Sequence, residues 1–209
     1  MTSSPLVVGF DLDMTLVDSR TGIVDCMQLV LRSRGQNIEE ARLWPLIGAP
    51  LEANLAQFLA PGEVAAAAQD YREAYLKSAV QVTSVMPGAT DLLARIHADG
   101  GRVLVVSAKT PVAVTAVLEH VGLHVDVVVG GVFAHDKAVP LREHAALLYV
   151  GDHQGDMQAA RAARAYGVGV TTGPHDEAML RTAGADAVVP DLMTMSGRLQ
   201  EFEHAAATG

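Results

Sequence analysis

The sequence predicts an α/β protein: a parallel, Rossmann-like sheet with a helical insertion placed directly after the first strand. Three observations carry this reading. Short valine-rich runs recur along the chain, helical patterns with readable ends separate them, and one long interval near the N-terminus breaks the alternation. Strand and helix alternating at this spacing indicate parallel strands joined by crossover helices.

The first run, residues 6–10, is apolar and leads straight into two aspartates one residue apart, Asp11 and Asp13. So apolar a run suits a strand buried on both faces. The carboxylates then belong at its C-terminal mouth, where open parallel sheets bind ligands. An exposed acidic loop, or a helix-capping role for Asp13, is the local alternative. Further runs lie at 102–107, 125–129, 147–150 and 168–170, with an edge strand at 187–189. A helix over 89–99 follows Pro87-Gly88 and stops at Gly100-Gly101. Thr110 reads as an N-cap with Pro111 in the first helical position, and Gly122 closes that helix. Helices over 156–166 and 174–183 precede Gly167 and Gly184, and 204–209 reads as a frayed tail.

Between residues 16 and 85 there is no strand pattern. Helical patterns near 22–34, 51–59 and 63–80 are separated by turns at Gly35, Pro45, Gly48-Ala49-Pro50 and Pro61-Gly62. The chain therefore divides into a core of residues 1–15 and 86–209 and a helical cap of residues 16–85, standing over the mouth that holds Asp11 and Asp13.

A length of 209 residues suits one core domain with a modest insertion, and a hydrophobic fraction of 50% supplies its core. The net charge of −9 with scattered basic residues lacks the footprint of a nucleic-acid binder. It does not forbid an anionic substrate, because a bound divalent cation locally reverses the sign. The single cysteine, Cys26, cannot form an intramolecular disulfide, fits a reducing cytosol and reads as a small core residue. Residues 1–5 carry no basic side chain, and the apolar run after them is far shorter than a signal or membrane-spanning segment. The expectation is a cytoplasmic monomer or homodimer with no nucleic-acid or membrane partner.

Three strand ends carry chemically suggestive residues. The first gives Asp11 and Asp13; RVLVVSAK ends at Ser107 with Lys109 close behind; LLYVGDHQGDM ends at Asp152, with Asp156 four residues on. Lys137 lies in FAHDKAVP, ahead of that last strand. Singly, Ser107 could cap a helix, Lys137 could be a solvated surface charge, and Asp152 and Asp156 could start the next helix. Together they have one economical explanation. Carboxylates at neighbouring strand ends need a cation to join them. Oxygen ligands suit Mg²⁺, which shares its remaining positions with water and phosphate. A hydroxyl and a lysine then serve the phosphoryl oxygens. A free aspartate can attack phosphorus, and a second one two residues on can protonate the leaving oxygen and later deprotonate water.

These motifs resemble the haloacid dehalogenase (HAD) superfamily, in its phosphoglycolate-phosphatase-like branch with a helical cap of the C1 type. DLDMT at 11–15 is similar to the first motif, Asp-x-Asp-x-Thr; VLVVSAK to the second, with Ser107 as hydroxyl; Lys137 to the third; and GDHQGD at 151–156 to the fourth. LIGAPLEAN at 46–54 resembles the substrate-facing loop of the cap, and MPGATDLLARIHADG the segment returning to the core. The resemblance implies Asp11 as nucleophile and metal ligand. Asp13 becomes the general acid/base that also offers its backbone carbonyl to Mg²⁺. Asp152 is a direct metal ligand and Asp156 a direct or outer one. Ser107, backbone groups of Ala108, and Lys137 bind the phosphoryl group, while Thr15 steadies the loop.

Two departures stand out. Met14 occupies a position where related sequences often have Gly, so the loop must turn without glycine's freedom. Only 14 residues separate Lys137 from Asp152. The intervening helix is therefore short or lost, and Lys109 and Arg142 are alternatives for the lysine role. Asp13 favours phosphate-ester hydrolysis, or phosphoryl transfer between sugar positions, over dehalogenation. The expected activity is Mg²⁺-dependent hydrolysis of a small phosphorylated metabolite, phosphoglycolate-like or a sugar phosphate, through an aspartyl phosphate. A sugar-phosphate mutase would want a cation in the 46–54 loop, which has no Lys or Arg. A non-catalytic phospho-regulatory module is the other alternative; its pattern does not suit an aspartate pair after the first strand and a large cap. Arg20, Arg42, Trp44 and the 46–54 loop are the cap candidates to face substrate.

Overall fold

A computed structural model of the chain describes residues 6–208. Residues 1–5, read above as carrying no targeting signal, and Gly209 lie outside the described residues. The elements run β1 (Val7–Phe10), β2 (Val17–Asp18), α1 (Arg20–Arg32), α2 (Glu40–Leu43), α3 (Leu51–Leu55), α4 (Pro61–Ala74), α5 (Val80–Val82), β3 (Ser84–Val85), α6 (Ala89–Ala98), β4 (Arg102–Ser107), α7 (Pro111–Val121), β5 (Val127–Gly130), α8 (Ala138–Glu143), β6 (Leu148–Gly151), α9 (Gln154–Ala163), β7 (Tyr166–Val170), α10 (Glu177–Thr182), β8 (Ala187–Val189), α11 (Leu192–Gly197) and α12 (Leu199–Thr208).

Six strands form one parallel sheet in the order β5-β4-β1-β6-β7-β8. Because β1 lies inside the sheet, all four of its residues are buried, and only an apolar sequence tolerates that position. Alternate residues of β4 serve two cores: Val103 and Val105 pack with helices α6 and α7, Leu104 and Val106 with α8 and α9. Each such side chain, fully buried, contributes roughly 1.5–3 kcal/mol. The chain leaves β1 and returns on both sides of it, with β4 pairing one edge and β6 the other. The crevice at such a reversal of strand order is where open α/β sheets place their ligands. Here it lines up the C-terminal ends of β1, β4 and β6.

Helices α1 to α5 fall between β2 and β3. These two strands form a two-residue antiparallel pair, Val17 opposite Val85 and Asp18 opposite Ser84. The sequence shows no strand in this interval, because two residues are too few to establish a period. Helix α4 passes into a π-helical turn, Tyr75–Ala79, before α5. Cys26 is buried in α1.

Other expectations shift. Strand β5 starts two residues later than the valine run at 125. Helix α9 starts at Gln154 and ends at Ala163, where Arg164 adopts a left-handed conformation with φ 62°. Tyr166, expected in that helix, opens β7 instead. Helix α10 begins only after Asp176, whose side chain caps it by accepting from the Met179 amide. Residues 204–208 of the expected frayed tail continue α12, which is anchored by Leu199 and Phe202, each 1% exposed. Among the described residues, no helix is long and apolar enough to cross a membrane.

Candidate active site

The β1 strand ends at Phe10, and the backbone then folds tightly over Leu12, whose carbonyl accepts from the amides of Thr15, Leu16 and Val17. Met14 completes this turn with φ 58°, a left-handed geometry that costs a non-glycine residue roughly 1–2 kcal/mol. Two hydrogen bonds hold it: its amide donates to the Val17 carbonyl at 2.8 Å, and the Thr172 hydroxyl donates to its own carbonyl at 2.5 Å. The outcome is that Asp11 and Asp13, both buried, have separate surroundings.

Asp11 faces the floor of the crevice. Its Oδ1 accepts from Lys137 Nζ at 2.7 Å, and the same ammonium donates to Asp156 Oδ1 at 2.7 Å. Asp152 Oδ1 accepts from the Thr15 hydroxyl at 2.9 Å. Asp156 also accepts from the Tyr149 hydroxyl and, through Oδ2, from the His153 amide, so it helps cap α9 while orienting Lys137. Burial pushes the Asp11 carboxyl up to about 7, with Lys137 pulling it down and Asp156 and Asp13 pushing it further up. Burial, then the charges of Asp11 and Asp156, hold Asp152 well above the usual carboxylate range. Burial works against the Lys137 ammonium, but the carboxylates of Asp11 and Asp156 keep it well above its ordinary value.

The residues at this floor fit a hard divalent cation. One carboxylate oxygen from each of Asp11, Asp152 and Asp156 can be chosen so that all lie within 4.8 Å of one another. Asp152 Oδ2 is buried without a hydrogen-bond partner. An isolated buried carboxylate oxygen is costly, and an ion would satisfy it. Gly173 presses against that carboxylate so closely that any side chain there would overlap it. Ser107, buried at the end of β4, accepts from the Lys109 amide at 3.2 Å.

Asp13 faces the other way. Lys109 Nζ donates to both its oxygens, at 2.6 and 2.7 Å, and the Ser19 hydroxyl donates to Oδ1 at 2.5 Å. The Lys109 ammonium lies 4.4 Å from the centre of the Tyr75 ring. Beyond Asp13 opens a cavity of about 260 Å³ between the sheet and the overlying helices. Its walls include Leu46–Leu51 of the loop that leads into α3, Tyr71 and Tyr75, and Ala108 and Phe133. Gly48, at φ 95°, brings that loop against the His153 ring, where a side chain would crowd.

The structure thus brings together Asp11, Lys137, Asp152 and Asp156, with Ser107 at the adjacent strand end. The Asp13 side chain turns toward the cavity that Ala108 lines. Of the alternatives for the lysine, Lys109 belongs to Asp13. Arg142 donates to the Ala162 carbonyl at 3.0 Å and takes no part in the site, because α8 carries it onto an exposed surface. The short α8 is what fits Lys137 and Asp152 to one crevice despite their close spacing. Arg20, stacked over Trp44 and paired with Glu40, and Arg42, over Phe58, do not line the cavity. Sequence reasoning missed Ser19 and the tyrosine wall. Nothing in the spacing of Ser19 marks it; Tyr71 and Tyr75, four residues apart on one helical face, were a legible but generic signal.

The family model described as haloacid dehalogenase-like hydrolase matches residues 8–170. The protein named "Probable phosphatase IndB" of Dickeya dadantii (strain 3937) is 32% identical over 213 residues, covering 92% of each chain. Phosphoglycolate phosphatase of Pseudomonas fluorescens (strain Pf0-1) is 29% identical, covering 90% of this chain and 77% of that one. Among solved structures, one from Clostridium acetobutylicum described as a predicted phosphatase superposes with a TM-score of 0.85 at 23% identity, over 95% of this chain and 100% of that chain. That likeness speaks for the fold.

Proposed function

The chain belongs to the haloacid dehalogenase-like hydrolase family, and from that premise we propose that it is a Mg²⁺-dependent phosphatase acting on a small phosphate monoester through an aspartyl phosphate. The observation that carries this reading is the opposed placement of the two aspartates. Asp11 sits among Lys137, Asp152 and Asp156, while Asp13 looks into the cavity. The names of the relatives support phosphate-ester hydrolysis.

In this reading Ser107 and Lys137 hold the phosphoryl oxygens, and Asp11 attacks phosphorus opposite the ester oxygen. The ester P–O bond breaks as the Asp11–phosphorus bond forms. Asp13, entering this step in its protonated form, gives that proton to the departing alkoxide, which leaves as the alcohol into the cavity. The Asp13 carboxylate then takes a proton from water, whose oxygen attacks phosphorus and releases inorganic phosphate from Asp11. Held by Asp11, Asp152 and Asp156, a divalent cation would supply charge neutralisation for the crowded carboxylates and the transferred group. Lys109 and Ser19 position the Asp13 carboxylate, and the cap loop against His153 excludes bulk water. The division of the chain into a core of residues 1–15 and 86–209 and a cap of residues 16–85 is part of the same proposal: the core supplies the chemistry, the cap the cavity wall.

The test is turnover of a generic aryl phosphate by purified protein. Activity is expected to vanish with EDTA and return with Mg²⁺, while high Ca²⁺ inhibits because it takes more ligands at longer distance. Full activity in a verified metal-free preparation would overturn the proposed metal role.

A further inference from the structure

The cavity beside Asp13 is lined by equal numbers of cationic and carboxylate side chains. Two cations line it, Lys109 and Arg72. Each already faces a carboxylate that also lines it: Lys109 is bound through both oxygens of Asp13, and Arg72 is paired with Glu52. Among the described residues the lining offers no cation beyond these two, so a second anionic group on a substrate would meet Asp13 and Glu52 with no unspent positive charge to receive it. Most of the remaining wall is apolar or aromatic, with the Thr110 side chain, the Asn54 amide and the two tyrosine hydroxyls as its polar points. Tyr71 and Tyr75 stand 5.8 Å apart, ring centre to ring centre and 30° from parallel, with Leu46, Leu51 and Phe133 nearby. The one amide there, Asn54, spends its NH₂ group on the carbonyls of Leu46 and Ala49 to hold the cap loop. At about 260 Å³ the space lies just below the ~300–1,000 Å³ of ordinary small-molecule pockets, enough for a ring-sized body.

We infer that the preferred substrate is a monophosphate ester whose alcohol is uncharged and carries an aromatic or compact apolar group, and that the cavity discriminates against alcohols bearing a carboxylate or a second phosphate. This deepens the phosphatase reading and rests on it. It separates this chain from an enzyme for phosphoglycolate, whose leaving alcohol carries a carboxylate. Rejection comes from the lack of any unpaired cation to offset the cost of desolvating the extra charge against a largely apolar wall. Glu52 is the specificity-determining residue: it neutralises Arg72, which would otherwise be the natural receptor for a carboxylate.

A matched pair of esters tests this without confusion from leaving-group reactivity: benzyl phosphate against 4-carboxybenzyl phosphate, with phosphoglycolate and glucose 6-phosphate alongside. Turnover is measured in the Mg²⁺-loaded wild type. Binding of the same esters is measured by calorimetry in Asp11→Asn, which cannot consume them. The expected result is that benzyl phosphate exceeds each of the others by at least about tenfold in kcat/KM, and that it binds the variant most tightly. In Glu52→Gln the ratio of 4-carboxybenzyl to benzyl turnover should rise several-fold, as Arg72 is released. Equal or better use of the carboxylated ester, phosphoglycolate or the sugar phosphate overturns the inference while leaving the phosphatase standing. No turnover of any ester, with benzyl phosphate still bound preferentially, overturns the phosphatase reading and leaves the pocket assignment. Turnover of none and no binding preference overturns both.

Discussion

The floor of the crevice and the cavity above it each pair lysine with aspartate, to different effect. At the floor, one ammonium serves two carboxylates and a third lies alongside with an oxygen unpartnered; the region is short of positive charge and invites an ion and a phosphoryl group. In the cavity, lysine meets aspartate and arginine meets glutamate; charges cancel, and apolar walls decide what enters. The difference teaches that a site can separate chemistry from choice by leaving one region electrostatically unfinished and closing the account in the other.

The sharpest way to break that contrast is at the floor. Asp11→Asn should leave the fold intact and lower turnover by more than ~10⁴-fold, as removal of a nucleophile does in other covalent enzymes; steady-state assay with a circular-dichroism control checks it. Next, Lys137→Met strands Asp11 and Asp156 in a buried site. Urea denaturation in EDTA should show a loss of about 3–5 kcal/mol, the cost of breaking a buried ion pair. A loss below ~1 kcal/mol would mean that the floor carboxylates are satisfied without the lysine. In the cavity, Lys109→Met frees Asp13 from its clamp and should lower kcat by roughly 10²-fold, the lower end of what general acid–base catalysis contributes. KM should change far less. The smallest effect belongs to the rim: Arg72→Ala should shift stability by no more than about 1 kcal/mol, because its pair with Glu52 is solvent-exposed.

Much of the floor was legible in the sequence, and the cavity was not. Apolar strands leading to Asp11, Ser107 and Asp152 announce themselves, because burial on both faces leaves no charged side chain in their interiors before the strand reaches its mouth. Lys137 was readable as the first candidate and the helix after it as short, but setting aside Lys109 and Arg142 required their contacts, with Asp13 and with the Ala162 carbonyl. Elsewhere local pattern lost to tertiary packing. The run through Tyr166 reads as helix, yet Arg164 turns left-handed and hands Tyr166 to the sheet. Residues 204–208 read as frayed, yet they continue α12, whose Phe202 buries itself against Tyr166. The neutral cavity depends on pairs such as Lys109 with Asp13, 96 residues apart, and no periodicity connects residues at that range.

The central claim is that Asp11, and not Asp13, carries the phosphoryl group. Mixing the Mg²⁺-loaded protein with a ³²P-labelled monoester and quenching in acid within the first turnover tests it directly. The account predicts label on Asp11 itself, assigned by fragmentation sequencing of the peptide that holds both aspartates, released by hydroxylamine as an acyl phosphate must be, and absent from Asp11→Asn. Label on Asp13 or on any other residue, or full single-turnover hydrolysis by Asp11→Asn, would contradict it.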